Sequence, residues 1–231
     1  MADSQDGYLT YQRKKKMNKT SYSDRVRSLQ YQSEINERMA LLHEPYMKPL
    51  TEFVEELRRK KGSQFYIPYF DPCDGGVNAR LLIVAEAPGP KVKNSGFVSR
   101  NNHDDTAENT NRVLHKSGLK REDTLLWNIV PWYIGSDARI REPRKKELIE
   151  GMEYILQLCG LLHNLRAIVL LGANAREAFN AKAPELNVKI FEAPHPSAQN
   201  LNLDKDAERV IIIRLSEANE YLRSVNSGDA R

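Results

Sequence analysis

Residues 81–90 read Leu81-Leu82-Ile83-Val84-Ala85-Glu86-Ala87-Pro88-Gly89-Pro90. An apolar run stops at a turn stiffened by two prolines and leaves one carboxylate, Glu86, at its end. Such a run, bounded by turn formers, reads as a buried strand. The pattern returns near the C-terminus, where Lys189-Ile190-Phe191-Glu192-Ala193 leads into Pro194-His195-Pro196-Ser197. In an open parallel sheet, ligands bind just outside the carboxyl ends of the strands, so these two loops define a candidate site.

Working outward, four apolar runs read as buried parallel strands: 81–85, 124–129, 167–171 and 188–193. Helical patterns lie between and after them at 106–117, which ends at Gly118, at 144–162, at 173–181 and at 205–225. Strand–helix alternation of this kind predicts an α/β chain: a three-layer α/β/α arrangement on a small four-stranded parallel sheet. Ahead of it, residues 23–64 carry apolar residues at helical spacing, with a break near Pro45–Pro49, and form an N-terminal helical segment. Residues 1–22 are polar and basic and are expected to be a flexible arm. Residues 65–231 then make the α/β domain, in one globular unit with 23–64.

Composition narrows the class. The 231 residues are 40% apolar, enough for one sizeable core. No apolar run approaches the roughly 18–20 residues of a membrane span, and the basic N-terminus lacks the apolar stretch of a secretory signal. With Cys73 and Cys159 alone, neither a disulfide framework nor a CxxC site can be built, which fits a cytoplasmic protein of the bacterial cytosol or nucleoid. The net charge of +4 is carried by the first 30 residues, where Arg13, Lys14, Lys15, Lys16, Lys19, Arg25 and Arg27 outnumber Asp3, Asp6 and Asp24. Nucleic-acid affinity would therefore come from a local patch or from this arm; the arm read alone is equally a solvated tail.

Taken singly, Glu86 is a loop carboxylate and His195 a rigid turn residue. Together they fall at one sheet edge, where the third strand ends in Asn128. An amide there can offer a donor and an acceptor to the edge of a base, or be satisfied by backbone groups. Phe97, shortly after the first loop, either stacks on a base face or packs in the core. His103, Asp104 and Asp105 have no second His or Cys at ligand spacing, so no metal is expected. The chain lacks GxxxxGK[ST], GxGxxG and GxSxG, and Gly172 lacks the glycine partners of a dinucleotide turn.

The ordered set Ala85–Gly89, Phe97, Asn128 and His195–Ser197 resembles the uracil-DNA glycosylase superfamily, over roughly residues 65–215. The resemblance implies an enzyme that flips uracil out of DNA and hydrolyses its N-glycosidic bond, leaving an abasic site: a monofunctional glycosylase of base excision repair. It further implies that His195 donates to the uracil O2 region, Asn128 reads the amide edge, Phe97 stacks on the ring, and Ala85 and Ala87 border the base. Pro88, Gly89, Pro196 and Ser197 would contact DNA. Three departures stand out. Ala85 replaces the leading Gly of a G-E-A-P-G motif. Ala87 stands where the best-known members carry a water-activating Asp, which leaves Glu86, then Asp104 or Asp105, for that task. The loop continues Ala198-Gln199-Asn200-Leu201, so either Gln199 or Leu201 takes the place of the usual wedging Leu. The G-E-A-P-G classes usually hold a four-iron cluster on four cysteines; two cysteines cannot, so a branch without cofactors is expected. The expected partner is uracil-containing DNA, bound by a monomer without a membrane. A uracil- or abasic-DNA-binding protein with little turnover is the alternative.

Overall fold

The computed structural model describes residues 25–136, 139–181 and 186–228. In chain order its elements are helices α1 (Gln32–Ala40) and α2 (Lys48–Lys61), strands β1 (Tyr69–Phe70) and β2 (Leu81–Ala85), helix α3 (Val92–Ser95), strand β3 (Phe97–Val98), helix α4 (Asp105–Lys116), strands β4 (Thr124–Asn128), β5 (Gly135–Ser136) and β6 (Arg139–Ile140), helix α5 (Lys145–Leu161), strand β7 (Ala167–Leu171), helix α6 (Ala173–Ala181), strand β8 (Lys189–Ala193), and helices α7 (Ala198–Leu203) and α8 (Ala207–Gly228). The basic arm expected at 1–22 lies outside the described residues.

The four long strands form one parallel sheet in the order β4-β2-β7-β8. Successive side chains on a strand point to opposite faces, and the apolar residues divide accordingly. Leu82, Val84, Leu125, Trp127, Ile168 and Leu170 enter one core with residues of α2, α5 and α6. Leu81, Ile83, Leu126, Ala167 and Val169 enter the other with α4 and α8. Continuous apolar strands are thus the signature of a sheet covered on both faces. Within the first core, the rings of Phe70 and Trp127 stack with centroids 3.8 Å apart.

The N-terminal segment is bound in two ways. Leu50, Phe53, Val54 and Leu57 of α2 are buried in the first core. Leu29, Ile35 and Leu42 form a separate cluster closed by Phe97. That cluster sits over a two-stranded parallel pairing of β1 with β3, Tyr69 opposite Phe97, which was too short to leave a periodic trace in the sequence. Beneath the cluster, Arg38 reaches from α1 to Asp71 at 2.5 Å, and Arg121 meets the same carboxylate at 2.8 Å. Asp74, Ser99, Asn101 and Thr124 extend this buried network.

One glycine sets the depth of the strand-end edge. A Cβ at Gly151 of α5 would fall 1.8 Å from the carbonyl oxygen of Ile129. Only glycine lets this helix press against the chain just beyond Asn128.

Candidate functional site

Parallel register brings the strand ends level. Ala85 pairs with Asn128, and Leu171 with Ala193. Pairing continues past the strands: Ile129 N–H donates to Ala85 O at 2.8 Å, Val130 N–H to Glu86 O at 2.9 Å, and Gly172 N–H to Ala193 O at 2.9 Å. The loops carrying Glu86, Asn128 and His195 are therefore extensions of the sheet, held by backbone rather than draped over it.

Asn128 is 4% exposed, and its Nδ2 has no hydrogen-bond partner among the described residues. A buried donor without an acceptor costs about 1–3 kcal/mol. A water or a ligand group can complete such a donor at a strand end. Glu86 is half-buried, and its Oε2 accepts from Asn174 Nδ2 at 2.7 Å. With one oxygen tethered, the other is left to accept a proton.

His195 is half-buried between two prolines, and burial pushes its pKa down to about 4. At neutral pH the ring is uncharged, with one nitrogen donating and the other accepting. Its backbone is fixed by two asparagines: Asn200 Nδ2 donates to His195 O at 3.2 Å, and Asn109 Nδ2 of α4 to Pro196 O at 3.1 Å. Gly172 backs the residue. Its φ is +91°, and a Cβ there would lie 3.1 Å from His195 Cβ. Glycine suits that turn by conformation, and a Cβ there would crowd His195.

Three kinds of group converge on one edge: an orphan amide donor, an uncharged imidazole and a tethered carboxylate. Against this geometry, the family model described as Uracil DNA glycosylase superfamily matches residues 72–222. The chain belongs to the uracil-DNA glycosylase superfamily. The match takes in all four long strands with Glu86, Asn128 and His195, and leaves α1 and α2 outside. Comparison with curated proteins returns no match.

The other residues singled out in the sequence have partners of their own in the structure. Phe97 is 0% exposed against Leu29, Ile35 and Leu42, so the ring presents no face on which a base could stack. Asp104 caps α4, accepting from Ala107 N–H at 2.9 Å. Asp105 pairs with Arg27 at 2.5 Å on the surface. Each carboxylate, like that of Glu86, has one oxygen engaged, but neither lies at a strand end. Leu201 is half-buried and packs against the second core, facing inward from α7. Pro88 and Pro196 are buried, so they stiffen their turns rather than touch DNA. Ala85 is half-buried beside Asn128, and Ala87 packs on the first core.

Other expected contacts remain accessible. Gly89 has open space where a Cβ would stand, and Gln199 is exposed. Ser197 caps α7, its Oγ accepting from Asn200 N–H at 3.3 Å, with the hydroxyl proton left to donate. Two positions beside His195 and Glu86 escaped the sequence reading as site residues. Gly172 and Asn174 lie at the turn after β7, and an asparagine just past a strand-ending glycine was the available signal. Leu203, 78% exposed, ends α7.

The iron–sulfur cluster of the related G-E-A-P-G classes does not fit this chain. Two cysteines cannot supply four thiolates, and burial pushes the thiols of Cys73 and Cys159 up to about 12 and 11.

Proposed function

We propose that the protein is a uracil-DNA glycosylase that extrudes uracil from DNA and hydrolyses its N-glycosidic bond. The observation that carries this reading is the unpartnered Nδ2 of buried Asn128, level with the strand that presents Glu86. Uracil offers a carbonyl acceptor and an N–H donor on one edge, and an amide matches both. In the reaction the bond from C1′ to N1 breaks, the base leaves as an anion, and water oxygen bonds to C1′. Glu86 accepts the proton of that water through its untethered oxygen. The uncharged His195 donates a hydrogen bond to the O2 region, where negative charge develops, and takes part without itself being a cation. Ser197 donates to a DNA phosphate, which positions the strand without reading it.

Leu203 and Gln199 are one turn apart on the outward side of α7, opposite inward-facing Leu201. They replace Leu201 as the groups that fill the space left by the extruded nucleotide.

The test is release of uracil from a labelled oligonucleotide by the parent protein, His195→Ala and Asn128→Asp. The parent is expected to release uracil and His195→Ala to be slower by about 10²–10³-fold. Asn128→Asp should lose uracil and gain activity on cytosine, because one donor becomes an acceptor. Ala87 at the position of the usual Asp favours a second reading, abasic-DNA binding without turnover. Tight abasic binding by a parent that excises nothing in a single turnover would establish that reading instead.

A further inference from the structure

A second concave surface lies beside the site, next to the edge strand β4 and away from the His195 loop. It is a cavity of about 410 Å³ lined by Met39, Arg58, Ser63, Phe65, Tyr66 and Tyr69 among others. Two hydrogen bonds join it to the strand-end edge. Tyr133, shortly after Asn128, donates N–H to Tyr66 O at 2.9 Å, and the Tyr66 hydroxyl donates to Val92 O of α3 at 3.0 Å.

The groove and its flanks alternate rings with cations. The Arg58 guanidinium lies 3.9 Å over the Tyr69 ring, Lys93 Nζ 4.3 Å over Tyr133, and Lys61 Nζ 3.8 Å over Trp132. Some of this charge is already matched: Lys61 by Glu150, Lys60 by Glu56, while Glu55 accepts from the Tyr69 hydroxyl. Arg58, Arg59 and Lys93 have no carboxylate at ion-pair distance among the described residues. Arg58 spends Nε and Nη2 on Ile67 O, which leaves Nη1 to a ligand. Cations at the end of α2 also suit the helix dipole. That accounts for neither Lys93, on a different element, nor the rings set between the charges.

We infer that this groove is a track for unpaired DNA flanking the target nucleotide, with a base against Tyr66 and phosphates on Arg58 and Lys93. The inference rests on the reading of the protein as acting on DNA and adds the form of the strand. Rings stack only on bases that have left the duplex, and a concavity of this size admits a base but not a double helix. Excess positive charge disfavours the chain's own basic arm as the occupant. Residues 58–69 precede the family-matched span, so the track is built largely by the segment added in front of it.

Binding is measured by fluorescence anisotropy with a labelled uracil-free oligodeoxythymidylate of about 12 nucleotides, its duplex and the matching RNA. The parent is expected to bind the single DNA strand most tightly. Ser63→Glu combined with Lys93→Glu, both at exposed positions, should weaken that binding at least about tenfold and flatten its salt dependence. Tyr66→Ala should weaken it about 5–150-fold, and Tyr66→Phe should restore it. Equal affinity for the duplex, preference for RNA, or unchanged affinity of the Ser63→Glu/Lys93→Glu variant would each overturn the inference. A parent that binds the single strand through the groove but releases no uracil supports the track and refutes the glycosylase reading. Excision with binding untouched by the variant refutes the track alone.

Discussion

At the scale of single residues, His195 shows how a site tunes itself by burial. Its pKa falls from an ordinary 6.5 to about 4, so between those values the unfolded chain holds a proton that the folded chain lacks. Stability from this group is therefore whole above about pH 6.5 and lost as the pH falls toward 4. Excision that uses the uncharged ring should stay level from about pH 8 to about pH 5 and decline below it. Single-turnover rates across that range check this; a midpoint near 6.5 would mean that the ring is solvated when it acts. His195 and Glu86 were legible in sequence because proline-stiffened turns displayed them. Asn128 was legible as a polar group closing an apolar run. Phe97 was not, because an aromatic in a loop reads alike whether it faces a ligand or a neighbouring helix.

At the scale of elements, helix α7 illustrates what periodicity adds once a helix is known. Positions 199 and 203 lie one turn apart, while 201 is rotated about 200° from each. The structure turns Leu201 inward and leaves Leu203 bare. Leu203→Ala should slow excision from duplex DNA about tenfold and leave the single-stranded rate within about twofold, since only the duplex must be unstacked. Comparing the two substrates in one assay tests it, and an equal loss on both would remove Leu203 from that task. The long strands and most helices emerged from sequence within a residue or two, because continuous apolar runs and helical stripes are strong signals. The six-residue α7 and the two-residue strands are too short to carry a period, and they depend on their surroundings to form.

For the whole molecule, the decisive feature is the buried network that fastens the N-terminal helices to the glycosylase sheet. Burial alone would raise the Asp71 carboxyl, but Arg38 and Arg121 outweigh it and hold the pKa at about 2. The carboxylate therefore contributes stability above its ordinary pKa of 3.8 that disappears only as pH falls through about 2. Asp71→Asn leaves two buried guanidiniums short of a counter-charge and should cost about 3–5 kcal/mol in urea unfolding. A loss under about 1 kcal/mol would show that the helices hold by apolar packing alone.

Local pattern was enough to establish the α/β class, the four strands and the loops that bear Glu86, Asn128 and His195, because backbone periodicity and turn chemistry are written in neighbouring residues. Which side chains are free to act was a different matter. Asp104 caps a helix, Asp105 pairs with Arg27, Phe97 is buried against a distant helix and Leu201 packs on the core, while Asn174 joins Glu86 from far along the chain. Each of these assignments depends on a partner remote in sequence, and only the packed chain brings such partners together.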